Sequence, residues 1–458
     1  MKKALTLTVV AALLSACSAA PVPDMAERRE TVIPGGLPPM NVFATASATP
    51  PRRGNAGIAA DFLDLSFEME SGRPIPVMSR FEGPVTVTVA PGAQATLSGD
   101  LDRLIARLRS EAQIDIRRVP FGGAPASITI ETLPRARMQR AVPDAACFVV
   151  PRVSSWAQFR RARGPGGTLD WTTLTEREHA AVFIPSDVSP QEVRDCLHEE
   201  IGQALGPLND LYRLSDSIFN DDNYNAVLTG FDMLVLRAYY DDALQSGLSR
   251  SEVAARLPAI LDRLNPRGEH SGGTRPPAPD RQWIDAIEQA LGGNAPTQVR
   301  IAAAERALSI ATNRRWTDVR LGFSYFALGR LTLSRDAQTS LRAFAEAGRQ
   351  FDRIAPNGIQ SAHVNMQLAA FALSAGEADQ ALSLVNTALP AAMQGQNATL
   401  LATLLMIKAE ALELQGRMSE AASVRLDSLG WARYGFGRDQ DVRDRLTEVA
   451  ALSPQNRS

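Results

Sequence analysis

This sequence of 458 residues predicts an α+β domain followed by an all-α domain. Three observations carry that prediction. Short alternating or apolar runs recur through the first half of the chain, interleaved with amphipathic helical patterns. A Pro- and Gly-rich stretch follows Pro266, with Gly268, Gly272, Gly273, Pro276, Pro277 and Pro279 close together. Beyond Arg281 the chain is rich in Ala and Leu, with almost no strand signal.

The elements of the first half can be taken in order. Phe62, Leu65, Phe67 and Met69 place a short helix over 59–69. The stretch 84–89 alternates Val and Thr and reads as a strand; 101–108 is an amphipathic helix. Strands are expected at 114–116, 127–130, 147–150 and 181–184. A helix over 190–205 follows, with Ser189 as N-cap and Pro190 at its first position. The order strand, helix, strands, helix predicts a mixed sheet with the last helix packed across it.

In the second half, residues 375–382 align with 415–422 at a spacing of 40. Each segment has an apolar helix before it, a Gly turn, and a second helix that opens with small residues. That is the logic of tetratricopeptide-like helical hairpins, at a spacing wider than the roughly 34 residues of that repeat. Leu328-Gly329-Arg330 is a weaker third copy.

The start of the chain speaks to compartment. Lys2 and Lys3 precede an apolar run over 4–14, too short to span a bilayer as a helix. Residues 14–17 resemble a bacterial lipobox, which implies a signal peptide over 1–16 and a diacylglycerol on Cys17. Ser18 and Ala19 after the cysteine imply the outer membrane, facing the periplasm. Residues 17–56, rich in Pro, Ala, Ser, Thr and Gly, read as a flexible tether. With Cys17 allotted to lipid, Cys147 and Cys196 form an even pair in an oxidising space, and a disulfide is expected, with two buried thiols as the alternative. The net charge of −2, from 48 basic and 50 acidic residues, gives no basic excess for nucleic acid.

The most informative stretch runs from Glu199 to Gly206. It resembles the zinc-binding helix of the metzincin peptidases, H-E-x-x-H-x-x-G-x-x-H, with the metal ligands replaced. Glu199 stands at the first His position, Gln203 at the second and Asn209 at the third. Glu200, at the catalytic-base position, and Gly206 are kept. Phe219 stands where the metzincin Met turn has Met, and 228–240 resembles the closing helix. The E-E-x-x-Q-x-L-G segment, Asn209-Asp210 and Ile218-Phe219-Asn220 resemble the domain-of-unknown-function 2927 family over about residues 57–265. The resemblance implies a metzincin-like fold and carries no established activity. The remaining divisions are a linker over 266–280 and a helical domain over 281–450.

The donors decide the chemistry. Positions i and i+4 share a helix face, which in the active motif brings two imidazoles to one zinc. A carboxamide is a weak ligand, so Glu199, Gln203 and Asn209 imply no zinc; an oxygen-only set suits a calcium-like ion better. His198 offers no substitute, since its i+4 neighbour is Gly202. The favoured reading is a polar network of Glu199, Glu200, Gln203 and Asn209 that holds the helix to the sheet, or a peptide cleft without catalysis. Asp210, Asp216, Asp221 and Asp222 read as solvated turn residues, with a loop cation as the alternative. His179, His270 and His363 lack ligand spacing, and there is no P-loop or dinucleotide fingerprint. Trp156, Phe159 and Trp171 are expected in the core rather than along a groove. Together these readings imply a pseudo-metallopeptidase: an envelope lipoprotein, attached to the membrane through the lipid on Cys17, that binds or scaffolds a protein partner of the helical domain. The alternative is a hydrolase that uses Glu200 with an atypical metal site.

Overall fold

A computed structural model describes residues 36–46, 49–51, 53–143, 145–164, 168–268, 279–293 and 295–456. The segment expected to be a signal peptide and Cys17 lie outside the described residues, as do His270 and most of the expected linker.

The first domain contains α1 (Asn55–Phe67), β1 (Val85–Val89), α2 (Ala95–Ser110), β2 (Ile116–Arg118), β3 (Ile128–Leu133), α3 (Arg135–Gln139), β4 (Phe148–Pro151), α4 (Trp156–Ala162), β5 (Ala180–Pro185), α5 (Pro190–Leu205), α6 (Gly230–Tyr239) and α7 (Arg250–Leu264). Its sheet has the order β2-β1-β3-β5-β4. The first four strands are parallel, with Ile130 paired to Val182, and β4 runs antiparallel to β5, with Val149 opposite Val182. β5 is the central element: all six of its residues are buried. Side chains alternate across a strand, so Ala180, Val182 and Ile184 join the main core while Ala181 and Phe183 face a smaller cluster. That cluster holds Trp156 and Phe159 at the edge of Phe148 and Phe183, and Trp171 is buried in the main core; the three aromatics are core residues. The main core is completed by α2 and by the apolar face of α5, formed by Val193, Leu197, Ile201 and Leu205.

Helix α5 has its expected bounds. The Ser189 side chain accepts from Glu192 N at 3.2 Å, and Pro190 opens the helix. Helix α2 starts six residues before the predicted 101, because Gln94 anchors its entry by donating to Ser186 O and Val188 O at 3.0 and 2.9 Å.

The second domain contains α8 (Arg281–Leu291), α9 (Thr297–Asn313), α10 (Val319–Thr332), α11 (Ala337–Ile354), α12 (Ile359–Ser374), α13 (Ala378–Gln394), α14 (Ala398–Leu414), α15 (Met418–Gly435) and α16 (Asp439–Ala450). Consecutive helices pack as hairpins. The two aligned segments are the turns between α12 and α13 and between α14 and α15. There Gly376 and Gly416 adopt φ of +80° and +74°, a conformation that favours glycine. The third copy is corrected: Gly329 lies inside α10, where its bare Cα admits the Phe344 ring.

The two domains share packed surfaces. Tyr224, from the first domain, is buried among Phe323, Phe326 and Phe351 of the second. The Ala398 N–H donates to the Gln191 side chain on α5 at 2.9 Å. Residues 36–46, placed in the tether by sequence, lie along the helical domain. Asn41 N donates to Gly430 O at 2.9 Å, Arg433 donates to Pro38 O at 2.8 Å, and the Phe43 ring sits 4.4 Å from Trp431. Among the described residues no helix is long and apolar enough to cross a membrane.

Candidate functional site

Helix α5 carries the site, and its C-terminal end is held by a residue with no sequence signal. The buried guanidinium of Arg177 donates to Gln203 O and Ala204 O at 2.7 Å and to Gly206 O at 2.6 Å. It thereby satisfies the helix's last carbonyls and opposes the negative end of its dipole. Trp171 stacks on the same guanidinium, its ring centre 4.9 Å away.

The loop beneath α5 is fixed by Asp232. Its buried carboxylate accepts from Ile218 N at 3.0 Å, from Thr229 N at 2.8 Å and from the Ser217 hydroxyl. This places Phe219 directly under Gly202, where a Cβ would lie 2.8 Å from the ring. Position 219 therefore supports the helix by ring packing.

The motif residues do not all converge. Gln203 donates to the Asp210 carboxylate at 3.3 Å, and Asn209 donates to Asp64 O at 3.0 Å. Both carboxamides are thus engaged. Glu199 and Glu200 offer oxygens that lie with Cys147 Sγ within 4.8 Å of one another. That sulfur belongs to the Cys147–Cys196 disulfide, so it is not a thiolate. The expected disulfide is formed, tying α5 to the residue before β4. His198 turns away from this group: its Nδ1 accepts from Leu228 N at 3.1 Å. An N/S set for zinc is therefore not assembled, and the donors do not fit the metal that the resemblance to metzincins would imply.

What the fold builds is a cluster of acids that reaches a cleft at Asp210. Glu200 is buried at its base, with Oε2 lacking a hydrogen-bond partner. Glu199 and Asp210 are half-buried above it, and Asp210 Oδ1 also lacks a partner. Glu70 and Asp221 stand exposed at the rim. Burial, then Asp221, Glu70 and Asp195, push the Glu199 carboxyl up to about 8. Burial, then Glu199 and Glu70, raise Glu200 well above the usual carboxylate range. Burial and the neighbouring acids Asp221, Glu70 and Glu199 raise Asp210 in the same way. Asp221 is raised to about 6 by burial, Glu70 and Glu288, against a hydrogen bond from Tyr212. Burial and mutual repulsion thus make Glu199, Glu200 and Asp210 hold their protons more tightly than ordinary carboxyls do.

Beside Asp210 the cleft runs between the domains. About 270 Å³ of open space there is lined by residues 210–213, Asp280, Trp283 and Arg320. The four loop acids separate into different roles. Asp216 pairs with Arg53 at 3.0 Å, while Asp222 is buried and accepts from Tyr224 N at 3.1 Å and Asn220 Nδ2 at 2.8 Å. Asp222 is thus a corrected residue: it organises a buried loop rather than facing solvent. Glu70, Tyr212 and Arg177 reach the site from distant parts of the sequence, which gave no sign of them. Of the other histidines, His179 lies 3.2 Å from Ala126 O, and His363 is held neutral beside Tyr224, burial lowering it to about 4.

The fold and cleft define a class: an α+β domain with a mixed five-stranded sheet, joined to an array of helical hairpins. Residues 55–259 match the model of the family described as "Protein of unknown function (DUF2927)", which supports that family for the α+β domain. No curated protein and no solved structure matches the chain.

Proposed function

We propose that the protein is a non-catalytic binding component of the bacterial cell envelope. In this reading it is anchored by a lipid on Cys17 to the outer membrane and faces the periplasm. The α+β domain is a zincin-like scaffold without its metal, and the helical hairpins are a tetratricopeptide-like surface for a protein partner. The acidic cleft takes a positively charged ligand, such as a basic peptide segment or a wall-linked amine.

One observation carries this reading. Glu199, Glu200 and Asp210 meet beside Asp221 and Glu70, with carboxyls raised so that they favour keeping their protons and with two buried oxygens unpartnered. An ammonium group entering there replaces those protons and supplies the missing donors. Fluorescence anisotropy on the full chain, with a lysine-rich peptide against a glutamate-rich one, tests it. Saturable binding of the basic peptide, weakened by salt and by Glu70→Gln at the exposed rim, is expected. Equal response to both peptides overturns the reading.

The raised Glu200 carboxyl favours a second reading, a hydrolase in which this group acts as an acid. Peptide cleavage by the wild-type protein, lost in Glu200→Gln with the fold intact, would establish it in place of the first.

A further inference from the structure

On the opposite side of α5 from the acidic cleft's residues, a second cleft has the reverse charge. It lies where α2, α5, the segment 44–46 and the turn before α14 meet. Its open space is about 240 Å³, and its walls include Arg103, Arg107, Arg194, His198 and Gln396, with Asp100 as the one carboxylate among them. Arg107 and Arg194 are each 3% exposed. Burying a guanidinium is costly unless all its donors are used. Here the use is incomplete. Arg107 forms a fork on Glu111 through Nε and Nη2, at 2.9 and 2.8 Å, and its Nη1 has no partner. Arg194 donates to Gln191 Oε1 at 3.2 Å, to Gln396 O and to Gln396 Oε1 at 3.4 Å, and lies over the Phe43 and Tyr434 rings, yet its Nε has no partner. His198 Nδ1 accepts from Leu228 N, which fixes the neutral tautomer with its proton on Nε2, a further donor.

Counter-charges are present but do not close the account of donors. Arg103 pairs with Asp100, which also accepts from the Tyr434 hydroxyl at 2.9 Å. Glu111 and Asp195 do not line the cleft, and Asp195 is 3.9 Å from Arg194. The field at the cleft is positive: after burial itself, Arg194, Arg107 and Arg103 are what hold His198 well below its ordinary range.

We infer that this interdomain cleft is a binding site for a phosphate group, held by Arg107 and Arg194 with His198 Nε2 and Arg103 as further donors. Tetrahedral phosphate accepts from several directions at once, and the donors arrive from two helices at different angles, which favours it over a planar carboxylate. The ligand would span three parts of the chain: the α+β domain, the helical domain through Gln396, and the segment 44–46. The site is independent of the acidic cleft and does not rest on the function proposed for it.

The test uses the full-length protein and inorganic phosphate, titrated calorimetrically in buffers of matched ionic strength with chloride as the competing anion. Saturable one-to-one binding is expected, weakened at least about tenfold by Arg107→Gln or Arg194→Gln, the scale of one charge-assisted bond. It should be unchanged by Arg118→Gln, an arginine outside the cleft. Glycerol phosphate in the same titration separates the sources: tighter binding than inorganic phosphate assigns an esterified group, and weaker binding assigns the free ion. A measurement on the wild-type chain needs no variant, because the His198 Nε2 resonance should shift as phosphate is added. Absence of saturable heat, an unmoved His198 resonance, or equal binding by the Arg107 and Arg118 variants overturns the proposal.

Discussion

The Tyr434 hydroxyl, on the second-last helix of the helical domain, donates to the buried Asp100 carboxylate on α2 at 2.9 Å. Asp100 keeps Arg103 as its ion-pair partner, so the bond is one of two that satisfy a charge placed out of water. Tyr434→Phe leaves the ring's packing and removes only the hydroxyl. It should lower stability by about 1–3 kcal/mol, the range for a hydrogen bond to a buried charged group. Urea unfolding should show a lower midpoint with an unchanged slope.

Tyr224 makes the larger contribution to the junction. Its ring lies 5.5–5.8 Å from those of Phe323, Phe326 and Phe351, inside the core of the other domain. Tyr224→Ala should cost about 3–5 kcal/mol, since it removes a buried aromatic and leaves a cavity. Because the contact joins two separate cores, calorimetry should show one unfolding transition in the wild type and two in the variant. A single transition in both would mean that the other interdomain contacts suffice.

The Cys147–Cys196 bridge closes a loop across 49 residues. Replacing both cysteines by Ala should cost about 4 kcal/mol by the chain-entropy model. It should also loosen α5 against β4, so that hydrogen exchange rises in the last two turns of the helix, next to Glu199 and Glu200. If exchange rises evenly through the domain instead, the bridge acts only on the unfolded chain.

The elements were legible in the sequence where one local pattern decided them. Val85–Val89 alternates, Ser189 and Pro190 mark a helix start, and Gly376 and Gly416 mark turns. Helix α7 carries opposing local signals: Ser249 and Glu252 form a capping box at its start, while Pro258 sits inside it. The site was legible only along α5. Glu199, Glu200 and Gln203 could be placed on one helix by spacing alone. The acids that complete the cleft come from residues 70, 210 and 221, and the arginine that caps the helix from 177. Those meetings are set by tertiary packing, which leaves no periodic mark on the chain. Glu199 reads as a lost metal ligand beside the kept Glu200; the structure adds that further acids crowd around the pair.

That crowding has a sign that pH can read. The Glu199 carboxyl is raised from 4.5 to about 8, chiefly by burial and then by Asp221, Glu70 and Asp195. Below the lower value the folded and unfolded chains are both protonated, and the group is neutral in its effect. Between the two values the unfolded chain releases its proton while the folded chain keeps it. Stability therefore falls as pH rises, by up to about 1.4 kcal/mol per pH unit for one such group. Buried histidines act in the opposite sense: His363 is lowered from 6.5 to about 4, so its effect rises with pH and is complete above 6.5. Between 6.5 and 8 the His363 contribution is already complete, and the decline belongs to the raised carboxyls, Glu199 together with Glu200 and Asp210. Across this window the urea midpoint of the wild type should decline. Glu199→Gln, neutral at every pH, should make the decline shallower and exceed the wild type at the upper end. Parallel profiles for the two proteins would show that Glu199 is ionised in the fold throughout, and that the cleft does not hold its proton.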